Sequence, residues 1–232
     1  MEKIIFNQIH SNLEKIRNQP LFVAIHGPQG SGKSSTCLNI KEKLDSMNYN
    51  CLIVSLDDFY YPYSKMQEML FEFNDELYKY RGLAGTHDIE WLQDFLKKIK
   101  KGKNAVLPKF NKSLHGGFGD IDDLIPIYIK YDVVIFEGWM IGYKPRKYIP
   151  HYLRKFNDQL KKYQFLHEIF DLWFYFETDL QNIYDWRYSA ETKMNKETFD
   201  EFMKPYFVIY SNYFISDETN KYVLDKNRNI VE

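Results

Sequence analysis

The sequence predicts an α/β fold in which a doubly wound, mainly parallel sheet carries helices on both faces. Short apolar runs of strand type alternate with segments of helical periodicity along most of the chain, and this alternation is typical of parallel sheets. A glycine-rich turn joins the first apolar run, at residues 21–25, to a helical pattern. The length of 232 residues fits one domain, so we expect a single unit over residues 1–232.

The spacing of apolar residues predicts each element in turn. Helices are expected where apolar residues recur every three or four positions, over residues 2–18, 64–80, 88–101, 150–169, 179–193 and 196–213, and after the glycine-rich turn. Unbroken apolar runs predict strands over residues 21–25, 51–56, 105–110, 125–129, 132–137, 172–176 and 222–224. Residues 111–123, which are rich in glycine, are expected to form a loop.

Composition and charge exclude several classes of function. The net charge is −1 and the lysine runs are short, so we expect no surface for nucleic acid. No apolar run approaches the length that spans a membrane, and the N-terminus lacks the apolar stretch of a signal peptide. Cys37 and Cys51 lack the spacing of metal ligands and suit a reducing compartment. We therefore expect a soluble cytoplasmic protein, either a monomer or a homodimer.

The glycine-rich turn contains the best-defined motif of the sequence. Its spacing is G-x-x-x-x-G-K-S, and this spacing between a buried strand and a helix is that of the phosphate-binding P-loop of nucleotide enzymes. Glycines allow backbone N–H groups to point at phosphate oxygens, and the following helix adds its positive N-terminal end. The sequence thus predicts a P-loop NTPase fold that binds ATP through Gly27, Pro28, Gln29, Gly30, Ser31, Gly32, Lys33, Ser34 and Ser35.

Two residues of this loop, and acids at two predicted strand ends, point to phosphoryl transfer. Lys33 is expected to bridge the β- and γ-phosphates, and Ser34 to hold Mg²⁺. Glu137 follows the most apolar run, where a carboxylate orients Mg²⁺ or its water. Asp57 ends a strand that we expect next to the P-loop strand. From there it can orient a hydroxyl in line with the γ-phosphate, as a kinase requires. Asp58 could share this role or cap the next turn.

A kinase also needs positive charge on the phosphoryl group that is transferred. Arg187 lies on the helix expected after the strand at residues 172–176. Small-molecule kinases carry a small helical lid at this position, so we expect Arg187 to be a catalytic cation. Arg81 lies in a glycine-rich loop, which is an unusual place for a charge that only faces solvent.

Four segments together resemble the D-glycerate 3-kinase family of the plant and fungal type, namely GPQGSGKS (27–34), LDDFY (56–60), RGLAGTHD (81–88) and FEGWMIG (136–142). This family is similar to uridine kinase, phosphoribulokinase and bacterial pantothenate kinase. The resemblance implies ATP-dependent phosphorylation of a small hydroxy acid, most of all D-glycerate, and it aligns Asp57 with the catalytic aspartate. It implies substrate-binding roles for Asp58, Tyr60, Arg81, His87, Asp88 and Lys112.

Three of these residues also have a structural alternative. A lone histidine before a helix, such as His87, is often a structural hydrogen-bonding group. Asp88 has the position of a helix N-cap, and Lys112 could be a loop lysine that faces water. The residues alone leave each of these alternatives open.

The chain departs from the family pattern in one region. Where the family usually reads Tyr-Asp-Lys-Ser and then Gly-Arg-Gly-Asp-Arg, this chain has FNKS (110–113) and GFGDI (117–121). One acid and two arginines of the pattern are therefore absent. The departure keeps two other functions open, a nucleoside or pantothenate kinase and an ATP-binding regulatory protein with a degenerate acceptor site.

Overall fold

The strands of the chain form two separate sheets. The computed structural model describes residues 1–15, 19–191, 194–213 and 220–231. In chain order its strands are β1 (Leu21–His26), β2 (Cys51–Ser55), β3 (Ala105–Asn111), β4 (Asp120–Ile127), β5 (Val133–Gly138), β6 (Leu172–Glu177) and β7 (Lys221–Val223).

Helices separate most of these strands along the chain. They are α1 (Glu2–Leu13), α2 (Lys33–Ser46), α3 (Tyr63–Phe73), α4 (Ile89–Lys100), α5 (Arg154–Leu160), α6 (Leu166–Ile169), α7 (Leu180–Ala190) and α8 (Lys196–Asn212). Short 3-10 turns cover Leu56–Phe59, Glu76–Tyr78, His115–Gly117, His151–Leu153 and Lys161–Tyr163.

The central sheet has the spatial order β2-β5-β1-β6-β7, and each neighbouring pair is parallel. Alternate residues of β1 belong to different apolar clusters, because successive side chains of a strand point to opposite faces. Phe22 packs in a cluster that includes α4, α5 and α8, whereas Val23 packs with α1 and α2. Helices thus cover both faces, and the predicted doubly wound, mainly parallel sheet is confirmed.

The position of β2 corrects one expectation. We expected the strand that leads to Asp57 to lie next to β1, but β5 lies between them and pairs with both. All six residues of β5 are buried, whereas two of the five residues of β2 are partly exposed. The fully buried strand β5 therefore lies inside the sheet, between β1 and β2, and β2 lies at its edge.

The segments around residues 105–127 also differ from expectation. β3 and β4 form an antiparallel hairpin that pairs with no strand of the central sheet. The second strand begins at Asp120, inside the segment that we predicted to be loop, because backbone pairing with β3 extends to Asn111. We refer to residues 112–119, between the two strands, as the hairpin loop.

Several helices are shorter than predicted. α1 ends at Leu13, and residues 16–18 of the predicted helix lie outside the described residues, as do residues 192 and 193 after α7. The helix predicted over residues 150–169 is divided into α5, α6 and two 3-10 turns. Across the described ranges, no helix combines the length and apolar character needed to cross a bilayer.

Candidate active site

The P-loop is closed through the carbonyl oxygen of Pro28. This oxygen accepts hydrogen bonds from the Ser31 N–H (3.3 Å), the Ser31 Oγ (2.7 Å) and the Lys33 Nζ (2.9 Å). Gly30 has φ of 79°, in the left-handed region that favours glycine. A Cβ on Gly30 would also come within 2.8 Å of the Trp186 Cβ. These contacts hold the backbone in a curve that suits phosphate binding.

Lys33 brings a positive charge into a buried position at the start of α2. The residue is only 9% exposed. Burial lowers the pKa of Lys33, and the carboxylates of Glu137 and Asp57 act in the opposite direction. A cavity of about 750 Å³ opens at this loop, and its lining includes residues 30–36, Lys43 and Arg228. The loop, its lysine and the cavity together form a site of the size and charge that a nucleoside triphosphate needs.

The oxygen ligands expected for Mg²⁺ meet at the end of β5. The Ser34 Oγ donates a hydrogen bond of 3.1 Å to the Glu137 Oε1, and the Ser55 Oγ donates another of 3.1 Å to the same atom. Among the described residues, no three His, Cys, Asp or Glu side chains form a metal cluster. This sparse oxygen set fits Mg²⁺, which binds few protein ligands and completes its shell with phosphate and water.

Asp57 lies in the 3-10 turn after β2, where the hairpin loop reaches it. The Lys112 Nζ donates a hydrogen bond of 2.5 Å to the Asp57 Oδ2. Burial raises the pKa of Asp57, but the charge and hydrogen bond of Lys112, helped by His87 and Tyr60, lower it to about 2. Asp57 is therefore ionised at neutral pH and can only accept hydrogen bonds.

Replacing Lys112 by Gln is expected to remove a pH-dependent part of the stability. Because the folded-state pKa of Asp57 is depressed to about 2, the ion pair stabilises the fold above the unfolded-state pKa of about 4. This contribution is lost as the pH falls towards about 2. The Lys112 side chain is 59% exposed, so screening by solvent limits the contribution to ~1 kcal/mol. Urea unfolding should show wild type more stable than K112Q above about pH 5, by a difference that shrinks as the pH falls through about 2 and vanishes only below it.

The matched control is Lys161→Gln, because the ion pair of Lys161 with Asp158 is exposed on both sides. This variant should change the free energy of unfolding by less than ~0.5 kcal/mol at any pH. A difference between wild type and K112Q that does not depend on pH would contradict the role assigned to the ion pair.

Tyr60 is the centre of an aromatic platform beside Asp57. Its ring stacks on the His87 imidazole, with centroids 4.3 Å apart, and contacts the edge of Phe110 at 5.1 Å. The Arg81 guanidinium lies 5.7 Å from the Tyr60 ring centroid. A hydrogen bond from Tyr60 also contributes to the low pKa of Asp57. The platform thus joins Asp57, the loop at residues 81–88 and β3 at one place.

His87 has features of both interpretations left open by the sequence. The residue is 1% exposed, and its Nδ1 lies 2.8 Å from the Tyr163 Oη, which is a structural contact. Its Nε2 is buried without a hydrogen-bond partner. Burial lowers the pKa of His87 to about 3, against the influence of Asp57. The imidazole is therefore neutral at physiological pH, and its Nε2 has no hydrogen-bond partner among the described residues.

Arg81 is attached to the hairpin loop. Its Nη1 donates hydrogen bonds of 2.6 Å to the carbonyl oxygens of Gly117 and Phe118. The guanidinium also lies over the Phe110 ring, 5.3 Å from its centroid. These contacts explain a charged side chain in a glycine-rich loop. A direct contact of Arg81 with substrate stays a prediction.

Asp58 and Asp88 both form capping contacts, and their binding of an acceptor stays a prediction. The Asp58 Oδ2 accepts from the Ser55 N–H (3.4 Å) in a capping box and pairs with the Lys109 Nζ at 2.7 Å. The Asp88 Oδ1 accepts from the Trp91 N–H (2.9 Å) as the N-cap of α4. Helix capping, the alternative for both residues, therefore describes their observed contacts.

Arg187 lies on α7 with its charge near the P-loop. Its Nε is buried and has no hydrogen-bond partner in the part of the chain that the structure describes, and its charge acts on Tyr206 and Tyr210 of α8. The Tyr210 Oη in turn accepts a hydrogen bond of 3.1 Å from the Gln29 N–H. Over the described ranges, no carboxylate forms an ion pair with Arg187. A partly buried arginine without an acidic partner is suited to bind an anion.

Sequence reasoning missed several residues around the site. The Arg228 Nε donates a hydrogen bond of 2.7 Å to the Gly30 carbonyl oxygen, and its guanidinium lies 4.8 Å from the Trp186 ring centroid. Tyr206 and Tyr210 lie in a segment whose apolar spacing is also that of an ordinary core helix, so the spacing did not indicate a role in the site. Only their spacing of four residues, which places both on one helix face, could have indicated a shared role.

The comparisons with known proteins agree with the resemblance. No family model matches the chain. The chain is 31% identical over 255 residues to the probable ATP-dependent kinase TDA10 of Saccharomyces cerevisiae, covering 91% of this chain and 87% of that protein. It is 37% identical over 155 residues to the uncharacterized kinase mug58 of Schizosaccharomyces pombe. That match covers 62% of this chain and 55% of the relative, so it spans about half of that protein.

A solved structure extends this similarity to the whole fold. The D-glycerate 3-kinase of Cryptococcus neoformans var. grubii superposes with a TM-score of 0.88 at 26% identity, covering 100% of this chain and 98% of that chain. The P-loop, the parallel sheet and the acids at its strand ends are the parts that an ATP-dependent kinase requires. With these matches, the chain belongs to the D-glycerate 3-kinase-like family of ATP-dependent P-loop kinases.

Proposed function

We propose that this kinase transfers the γ-phosphate of ATP to a hydroxyl group of a small hydroxy acid, with D-glycerate as the leading acceptor. The observation that carries the proposal is the position of Asp57. Its ionised carboxylate bonds to Lys112 of the hairpin loop, and its charge acts on the P-loop residue Lys33. A hydroxyl group placed there meets a hydrogen-bond acceptor on one side and the phosphate site on the other.

The donor half of the site binds and orients the triphosphate. In this proposal the N–H groups of the P-loop and the Lys33 ammonium contact phosphate oxygens, and Arg187 stabilises the charge of the group that is transferred. Ser34 and Glu137 would hold Mg²⁺. When bound, this ion neutralises negative charge on the β- and γ-phosphate oxygens.

The acceptor half orients the nucleophile. The Asp57 carboxylate accepts a hydrogen bond from the acceptor hydroxyl, whose oxygen bonds to the γ-phosphorus as the bond to the β-phosphate oxygen breaks and ADP leaves. The hydroxyl proton passes to Asp57 late in the transfer. With a pKa of about 2, Asp57 is a weak base, so its main task is to align the oxygen rather than to remove the proton early. That task suits the loose transition state of phosphoryl transfer.

Lys112 of the hairpin loop favours an anionic acceptor. Lys112 is more than half exposed, so its ammonium, which has three N–H donors, can bind a substrate carboxylate while it stays paired with Asp57. Lys109 also lies on this hairpin, but its ion pair with Asp58 occupies it. The name of the matched Cryptococcus enzyme supports D-glycerate as the hydroxy acid.

One observation favours a second candidate, an ATP-binding protein with a degenerate acceptor site. Phe118 and Ile121 stand where the family usually has arginine, and both belong to the hairpin. If acceptor recognition needs these two arginines, the chain would bind ATP without efficient transfer. A nucleoside or pantothenate kinase has no comparable contact in its favour.

An acceptor screen distinguishes these functions. Purified protein with MgATP is offered D-glycerate, uridine, pantothenate or ribulose 5-phosphate, and ADP release is measured with Asp57→Asn as the blank. We expect D-glycerate to give a kcat/KM at least about tenfold above the others, which is the discrimination expected from one well-placed ion pair. A faster reaction with uridine or pantothenate would contradict the assignment. Nucleotide binding without ADP release for any acceptor would support the regulatory protein.

A further inference from the structure

Two tyrosines of α8, Tyr206 and Tyr210, each contact a different half of the site. They lie one helical turn apart, on the same face of α8. We call them the tyrosine pair. Each hydroxyl group bonds to the backbone of a different loop, one on the ATP side and one on the acceptor side. Neither residue was assigned a role from the sequence.

The contact on the ATP side is made by Tyr210. Its Oη accepts the hydrogen bond from the Gln29 N–H at the tip of the P-loop. The Oε1 of Gln29 is also buried, and no described residue forms a hydrogen bond with it. The tip of the P-loop is therefore oriented by α8 as well as by its own internal contacts.

The contact on the acceptor side is made by Tyr206. Its Oη donates a hydrogen bond of 3.1 Å to the Arg81 carbonyl oxygen. The next residue, Gly82, has φ of 131°, and a Cβ there would collide with the Tyr206 hydroxyl. This close approach means that the loop at residues 81–88 cannot shift towards α8 independently of Tyr206.

Trp139 packs against both tyrosines. Its ring centroid lies 5.2 Å from that of Tyr206 and 5.4 Å from that of Tyr210. Its Nε1 donates a hydrogen bond of 2.9 Å to the Gly82 carbonyl oxygen. Because Trp139 follows β5 directly, this packing also connects the tyrosine pair to the strand that carries Glu137.

The contacts continue from the loop at residues 81–88 to the catalytic carboxylate. The Arg81 side chain bonds to the hairpin loop, and Lys112 of the same loop bonds to Asp57. A displacement at the tip of the P-loop therefore has a route through α8 to the loop at residues 81–88, and from there through the exposed contacts of Arg81 and Lys112 to Asp57. The part of the route around α8 and Trp139 consists of directional hydrogen bonds and tightly packed rings, which transmit displacement better than mobile surface contacts.

We propose that the tyrosine pair couples the two substrate sites, so that nucleotide binding at the P-loop orders the loop at residues 81–88 and the hairpin loop for the acceptor. The inference rests on the proposed function of these loops. Tyr206 and Tyr210 act as positioning residues, since each works through a backbone group of a loop. Thermodynamic linkage requires the effect to be reciprocal, so acceptor binding strengthens nucleotide binding by the same factor.

Hydrogen exchange tests the coupling without knowledge of the acceptor. Wild-type protein is measured alone and with Mg²⁺ and a non-hydrolysable ATP analogue. Slower exchange in residues 27–35 reports nucleotide binding itself. We expect the analogue also to slow exchange in residues 81–88 and 112–119, by about fivefold or more, which is the lower range of measured allosteric couplings.

The variants Tyr206→Phe and Tyr210→Phe each remove one hydroxyl group and keep the ring that packs on Trp139. We expect both to keep nucleotide-dependent protection of the P-loop and to lose most of the protection at residues 81–88 and 112–119. The double variant should lose no more than either single variant, because each breaks the same connection. Tyr213→Phe is the matched control. Tyr213 is also buried, but its Oη bonds to Asn157 rather than to a substrate loop.

Several results would overturn the proposal. One is protection of the P-loop alone in the wild type, and another is full protection of the acceptor loops in both single variants. Equal loss in Tyr213→Phe would show a general effect of removing a buried hydroxyl group, and would also count against it. If the analogue fails to protect even the wild-type P-loop, the proposed function fails and this inference falls with it. Melting temperatures measured in parallel establish that every variant compared is folded.

Discussion

Asp57→Asn is expected to lower kcat by about 10²–10⁴-fold, the range that a positioned acid–base group contributes. The amide keeps the size of the side chain, but it loses the negative charge that holds Lys112 at 2.5 Å and that would align the acceptor hydroxyl. The hydrogen bonds that shape the P-loop do not involve the Asp57 side chain, which acts on Lys33 only through its charge. Nucleotide affinity, measured by calorimetry with an ATP analogue, should therefore stay within about twofold of wild type.

Asp58→Asn is the matched control, because the neighbouring carboxylate caps its own turn and pairs with Lys109. This variant should lose stability of ~1 kcal/mol, the usual cost of a lost cap or ion pair, and keep kcat within a few-fold of wild type. The role of Asp57 would be refuted if D57N kept more than about a tenth of the wild-type kcat, or if the two variants lost activity equally.

Arg187→Gln is expected to lower kcat by about 10²–10³-fold, as the loss of one electrostatic contact to a developing charge typically does. The substitution should not destabilise the fold. The Arg187 Nε is buried without a partner, and no described carboxylate neutralises the charge, so the folded protein holds this cation at a cost. Thermal unfolding should show an unchanged or slightly higher melting temperature together with the loss of activity, a combination that marks a functional residue.

The control for this prediction is Arg154→Gln, since Arg154 is exposed on α5 and lies outside the site. It should change neither kcat nor the melting temperature by more than the error of the measurement. A fall in the melting temperature of R187Q without a fall in kcat would assign Arg187 a structural role and remove it from the phosphate site.

The central sheet could be predicted because its strands are continuous apolar runs and because the P-loop fixes the first strand and helix. The order of the strands could not. Apolar content identifies a strand as buried, but it does not say which of two apolar strands lies inside the sheet. The structure shows that β5 is buried along its whole length and that β2 is not. The hairpin could not be predicted either, because strands of an isolated antiparallel pair and strands added to a larger sheet have the same local pattern of apolar residues.

The donor side of the site was the more predictable half. Ser34 and Glu137 were assigned to one site from sequence, and their side chains meet at 3.1 Å. The acceptor side depends on tertiary contacts of single residues that carry no motif. Nothing in the string around Lys112 indicates that its ammonium reaches Asp57, which is 55 positions earlier in the chain. The roles of these residues in catalysis stay predictions until the variants are measured.

The separation of β3 and β4 from the central sheet has a consequence for how such kinases diversify. The hairpin carries Lys109, Lys112 and the backbone groups that bind Arg81, but it contributes no strand to the core sheet. Ala105, Leu107 and Ile127 of the hairpin are buried in the core, but its exposed residues can be exchanged without changing a central strand or the P-loop. On the proposed function, the choice of acceptor could therefore change through these exposed positions while the ATP site is kept, and Phe118 and Ile121 lie in this hairpin.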